Sequence, residues 1–115
     1  MNFLLIFLLF ISFQINSGTL EDLIIEASDF QWKTIKKQLP LNTEKQINDS
    51  VQCIAKNIIS SLEGPFQDIE WEIVVFESEE INAFALSGGK IGIFSGLIDL
   101  TRDEEELAAI IGHEI

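Results

Sequence analysis

Basic residues are scarce in this chain. Seven Lys and Arg stand against nineteen Asp and Glu, giving a formal net charge of −12. Binding to a phosphate backbone needs clustered positive charge, so the balance argues against a nucleic-acid partner. The acid excess reads most simply as a solvated surface that aids solubility. Cysteine is almost absent. Cys53 stands alone and cannot form an internal disulfide, so the chain is not a disulfide scaffold. It reads as a small, half-buried filler rather than a reactive thiol. Histidine is equally rare, His113 being the only one. No internal repeat or low-complexity segment is visible.

What is present suits a small folded unit. A length of 115 residues allows at most one domain, and 47% apolar residues suffice for a core. The densest apolar run, Phe3 to Phe13, is followed by Gln14, Asn16, Ser17 and Gly18. It falls well short of the roughly 20 residues needed to span a bilayer. It has the length of a signal-peptide core, with small residues where cleavage would occur. No Lys or Arg precedes it, which departs from the signal pattern. The expected division is a signal peptide over 1–18 and the start of a folded domain over 19–115. A retained anchor or a buried core segment is the alternative for the first part.

Hydrophobic spacing then marks the elements. Leu20, Leu23, Ile24, Phe30, Ile35 and Leu39 recur at helical intervals, with Gln31-Trp32 blurring the pattern, and Pro40 ends the helix. Thr43 with Gln46 fits a capping box. Ile47, Val51, Ile54, Ile58 and Leu62 continue as an amphipathic stripe up to Gly64-Pro65. From Trp71 to Phe76 the residues are β-branched and aromatic, which predicts a buried strand. Glu77 to Glu80 reads as a solvated acidic turn. Asn82–Leu86 and Lys90–Phe94 flank Ser87-Gly88-Gly89, a hairpin signal, because glycine tolerates the positive φ of tight turns. Phe84 and Leu86 face one way. Ala83 and Ala85 face the other, a surface that lets another element approach closely. Ser95 to Leu100 predicts a short helical connector. Thr101 with Glu104, or Asp103 with Glu106, would cap a last helix, whose acidic first turn complements the helix dipole. Leu107, Ile110 and Ile111 would be its buried stripe. The fold class predicted is α+β: two N-terminal helices, a small, mainly antiparallel sheet with a Gly-Gly hairpin, then a final helix.

That helix ends in His113-Glu114-Ile115. These residues match the opening of H-E-x-x-H, whose second histidine would fall at position 117. On an α-helix, positions i and i+4 share a face, so both imidazoles can converge on one metal ion. The glutamate, rotated by about 100°, reaches the water that the metal activates rather than the metal itself. A bare His-Glu pair is weak by itself, since a lone histidine is more often an ordinary core or surface residue.

Its context is more specific. The stretch 82–115, and more loosely 42–115, resembles the HtpX/BepA/LoiP-type zinc metallopeptidases. These are gluzincins of peptidase family forty-eight of the metallo class, related to the CAAX prenyl proteases and the mitochondrial Oma-type protease. The resemblance rests on Asn82-Ala83-Phe84-Ala85-Leu86-x-Gly88-Gly89-Lys90-Ile91, then Gly96-Leu97, then Glu106 to Ile115. Ser87 departs from it, since many relatives carry proline there.

The resemblance implies a truncated gluzincin-like catalytic domain that ends inside its metal-binding motif. It makes His113 the first Zn2+ ligand and Glu114 the general base. It makes Asn82, Ala83 and Phe84 candidates for holding an extended substrate by main-chain pairing. It further implies an exported zinc endopeptidase of the periplasm or cell envelope, soluble or membrane-associated, acting on misfolded or unassembled proteins. The second and third ligands would lie beyond Ile115, so the 115 residues alone should be inactive. Two rivals stand beside this reading: a non-catalytic exported binding or pseudo-enzyme module, and an unrelated α+β protein with an accidental His-Glu. Oligomeric state is open.

Overall fold

The computed structural model describes residues 17–115. The apolar run expected to form a signal peptide lies outside the described residues. Four helices and three strands follow: α1 (Ser17–Gln38), α2 (Lys45–Ser60), β1 (Glu72–Phe76), β2 (Ala83–Leu86), β3 (Lys90–Phe94), α3 (Ser95–Leu100) and α4 (Glu104–Glu114). A 3-10 turn, Gly64–Asp68, connects α2 to β1. The class is α+β, as expected.

The strand order is β1-β3-β2. β3 takes the centre because it is apolar on both faces, with Ile91, Gly92, Ile93 and Phe94 all buried. The hairpin forms as predicted: β2 runs antiparallel to β3, and Gly88 and Gly89 turn the chain at φ +89° and +81°. The other pairing is parallel, Ile73 lying beside Ile91 and Val75 beside Ile93. The sheet is therefore mixed. After β1, the 77–82 loop carries the chain past the place of β3 to its far edge. The hairpin then returns β3 into the gap, in the same direction as β1.

Alternation sorts the side chains into two kinds of core. On one face Ile73, Val75, Ile91 and Ile93 pack with Val51 and Ala55 of α2 and Leu107 and Ile111 of α4. On the other, Phe76, Phe84 and Phe94 surround Trp32 of α1, with neighbouring ring centroids 5.9–6.2 Å apart. Most of these ring pairs meet edge to face, the favoured arrangement of aromatic quadrupoles.

Three expectations need correction. The predicted apolar stripe of α1 is buried only at its C-terminal end: Leu20, Leu23, Ile24 and Phe30 are exposed, Ile35 and Leu39 pack against the aromatic cluster, and Trp32, outside the stripe, is 2% exposed. Only the second half of α1 docks on the sheet, where Lys36 Nζ pairs with Glu72 at 2.7 Å. The Thr43–Gln46 capping box does not form. Helix α2 opens at Glu44 without a side-chain cap. Instead Asn42 Oδ1 accepts from Glu44 N–H at 3.0 Å, and the Asn48 amide donates back to the Asn42 and Glu44 carbonyls. Cys53 is exposed rather than half-buried, because Val51 and Ala55 take the inward positions of α2.

Candidate functional site

Helix α4 is held at both ends. Asp103 caps its start, Oδ1 accepting from Glu106 N–H at 2.9 Å. The Glu106 carboxylate reaches one residue further back than a capping box requires: it accepts from Arg102 N–H at 2.9 Å and pairs with the Arg102 guanidinium at 2.6 Å. Leu107 and Ile111 then fasten the helix to α2 and the sheet. Because 3.6 residues make a turn, fixing Ile111 inward turns the strip Ala109, Ile110, His113 and Glu114 to another side. His113 is exposed and Glu114 half-buried.

That strip forms one wall of an open groove of about 520 Å³. The opposite wall is Ile81, Asn82 and Ala83 at the start of β2, with Leu97 of α3 closing one side. The helix comes this near because Ala83, on the aliphatic face, has no side chain beyond Cβ; it packs against the core that holds Leu107 and Ile111. The close approach expected of the alanine face of β2 occurs at Ala83.

β2 is an edge strand, so one row of its backbone groups is free of the sheet. Phe94 N–H donates to Asn82 O at 3.1 Å, which makes Asn82 and Phe94 a hydrogen-bonded pair. Antiparallel ladders alternate, so Phe84 and Leu86 also spend their backbone groups on β3. Ala83 and Ala85 direct theirs to the open edge. The Asn82 side chain is folded back there, its Oδ1 accepting from Ala83 N–H at 2.9 Å.

His113, Glu114, Asn82 and Ala83 therefore share one groove. Phe84 does not join them: its ring lies on the other face of the sheet, against Trp32, Phe76 and Phe94. Sequence reasoning missed Ile81, Leu97, Ala109 and Ile110 as groove residues. Ala109 and Ile110 were within reach, since they precede His113 by four and three positions on the same helix.

A metal fits this donor set in kind but not in number. An imidazole beside a carboxylate is the chemistry zinc takes, and a catalytic zinc needs three protein ligands. Among the described residues no group of three His, Cys, Asp or Glu side chains could hold an ion.

Residues 45–115, from the start of α2 onward, match peptidase family M48. Mitochondrial metalloendopeptidase OMA1 of Arabidopsis thaliana is 43% identical over 56 residues, covering 49% of this chain and 11% of that protein. Metalloprotease LoiP of Escherichia coli is 31% identical over 101 residues, 76% of this chain and 36% of that one. The beta-barrel assembly-enhancing protease of Escherichia coli is 24% identical over 94 residues, 79% and 18% respectively. The chain thus spans between about a tenth and a third of the length of these curated relatives.

Proposed function

We propose, from the premise that this chain belongs to peptidase family M48, that it forms the N-terminal part of a zinc-dependent endopeptidase domain over 19–115. His113 is its first metal ligand and Glu114 its general base. The observation that carries this reading is the shared groove: His113 and Glu114 stand on one wall and the start of an open strand edge on the other.

An extended peptide laid along β2 pairs with the backbone groups of Ala83 and Ala85, a form of strand addition. The Asn82 amide, now turned onto Ala83 N–H, swings aside and offers its own oxygen and N–H to the same backbone. Ile81, Leu97, Ala109 and Ile110 give the groove an apolar lining that accepts a hydrophobic side chain next to the scissile bond. Zinc, when bound, acts as a Lewis acid and lowers the pKa of water towards about 7. Glu114 takes the proton of the attacking water on its carboxylate and passes it to the leaving amine.

The substrates of the reading are misfolded or unassembled proteins of the cell envelope. The segment 1–18 directs export, and the enzyme works in the periplasm or at a membrane surface. Among the described residues no helix is long and apolar enough to cross a membrane.

The test is Glu114→Gln in the full-length protein. Zinc content should stay unchanged while peptide hydrolysis falls by ~10²–10⁴-fold, the usual contribution of a general base. A Gln variant that still cleaves at the wild-type rate would remove Glu114 from that role.

A further inference from the structure

The loop that delivers Asn82 to the groove is pinned at both ends by three consecutive residues. At its far end Phe94 N–H donates to Asn82 O at 3.1 Å. At its near end Ser95 Oγ accepts from Ser78 N–H at 3.0 Å and donates to Ser78 O at 3.1 Å. Gly96 N–H adds a bond to Ser78 O at 2.7 Å. Ser95 is 5% exposed and is the only buried polar residue among those described. A buried hydroxyl is retained at such a position only when its bonds are made, and both of these go to the main chain of one residue, Ser78. Gly96 lets the loop come in against the helix start: a Cβ there would lie 2.6 Å from the Glu79 carbonyl carbon and 2.7 Å from Glu80 O, both backbone atoms that a side-chain rotation cannot move.

We infer that Ser95 and Gly96 are positioning residues for peptide binding, fixing the 78–82 loop and, through it, the height of the Asn82–Ala83 edge opposite His113 and Glu114. Neither residue lines the groove. They act on substrate through the loop, and so on affinity for an extended chain rather than on proton transfer. The inference rests on the peptidase reading for its substrate and on the hydrogen bonds alone for its mechanics.

The experiment uses the full-length protein with Ser95→Ala, Gly96→Ala, Ser95→Thr and, as control, Ser78→Ala. Two fluorogenic peptides are compared, one of about ten residues, which at ~3.3 Å per residue more than spans the four residues of β2, and one of two residues, which does not. Ser95→Ala and Gly96→Ala should raise KM for the long peptide about ten-fold, the scale of one buried hydrogen bond. Their kcat, their zinc content and the short-peptide kinetics should stay near wild type. Ser95→Thr, which keeps the hydroxyl, should recover the long-peptide KM. Ser78→Ala should be silent, because the clamp uses Ser78 main chain and its hydroxyl only accepts from Glu80 N–H. Hydrogen exchange supplies a readout independent of activity: the amides of Phe94, which donates to Asn82 O, and of Phe84, which faces β3, should exchange faster in Ser95→Ala. Equal losses on both peptides, or exchange at Phe84 and Phe94 unchanged from wild type, would overturn the positioning role. A wild-type protein that cleaves neither peptide would instead overturn the peptidase reading, and the exchange measurement would then decide the clamp alone.

Discussion

Glu72 shows how one side chain couples the two N-terminal layers. Burial opposes charge on its carboxylate, but the Lys36 ammonium at 2.7 Å, the neighbouring Trp32 indole and Lys90 more than offset this and hold the carboxyl below its ordinary 4.5. The indole N–H makes no hydrogen bond among the described residues, so the two lysines carry the effect. A carboxyl held low only in the folded state binds its proton more readily in the unfolded chain. Its contribution is therefore complete above pH 4.5 and fades as pH falls through the folded value. The group is 37% exposed, so water screens the pair and the effect is modest. Glu72→Gln should lower Tm at pH 7, and the gap to wild type should narrow as pH falls below 4.5; a gap that widens would contradict the assignment. Gly92 makes a steric prediction. Its missing side chain is filled by the Phe84 ring, and a Cβ would overlap that ring and approach Phe76 at 3.0 Å. Trp32, Phe76 and Phe94 box the ring in, so it cannot yield. Gly92→Ala should cost ~1–3 kcal/mol in urea unfolding. Adding Phe84→Ala removes the overlap, so the double variant should lose less than the two single losses added together.

The helices separate what the chain states locally from what only packing decides. Asp103 makes its cap bond and Thr43 makes none. Asp103→Ala should therefore cost about 1 kcal/mol, whereas Thr43→Ala, at an exposed site, should stay within ~0.5 kcal/mol of wild type. Equal losses in thermal unfolding would show that the sequence pattern, not the observed geometry, identifies caps here. Local signals were readable elsewhere too. The Gly88-Gly89 turn, the two faces of β2 and the short α3 all follow from spacing within a few residues. The parallel pairing of β1 with β3 was not readable, since it depends on where the 77–82 loop carries the chain. Nor was the docking face of α1. Its Leu and Ile residues made a plausible stripe, but the aromatic face of the sheet selects Trp32 with Ile35 and Leu39, and the N-terminal part of the stripe is left in solvent. The candidate site divides the same way. His113, Glu114 and the alanine face of β2 were visible as residue types at fixed spacing. Ile81 and Leu97 reach the groove only through the corner at Phe94, Ser95 and Gly96, which no local pattern announces.

At the scale of the whole chain, the framework for presenting His113 is in place while the coordination sphere is not. Leu107 and Ile111 hold α4 in the core, so the direction of the imidazole is set without any metal. A single imidazole cannot replace the three protein ligands of a catalytic zinc, and the described residues bring no group of three His, Cys, Asp or Glu side chains together around it. The many surface carboxylates give a net charge of −12, which attracts zinc ions loosely and at many places. Loose ions of that kind leave on dialysis and are screened by salt. The 115-residue chain, loaded with zinc and dialysed against buffered salt, should therefore retain well under one equivalent, and His113→Ala should change that residue of metal little. The full-length protein under the same treatment should hold about one zinc per chain and lose it on His113→Ala. Near-stoichiometric zinc on the 115-residue chain, abolished by His113→Ala, would show that this stretch closes a site by itself and would reverse the proposal that its remaining ligands come from elsewhere.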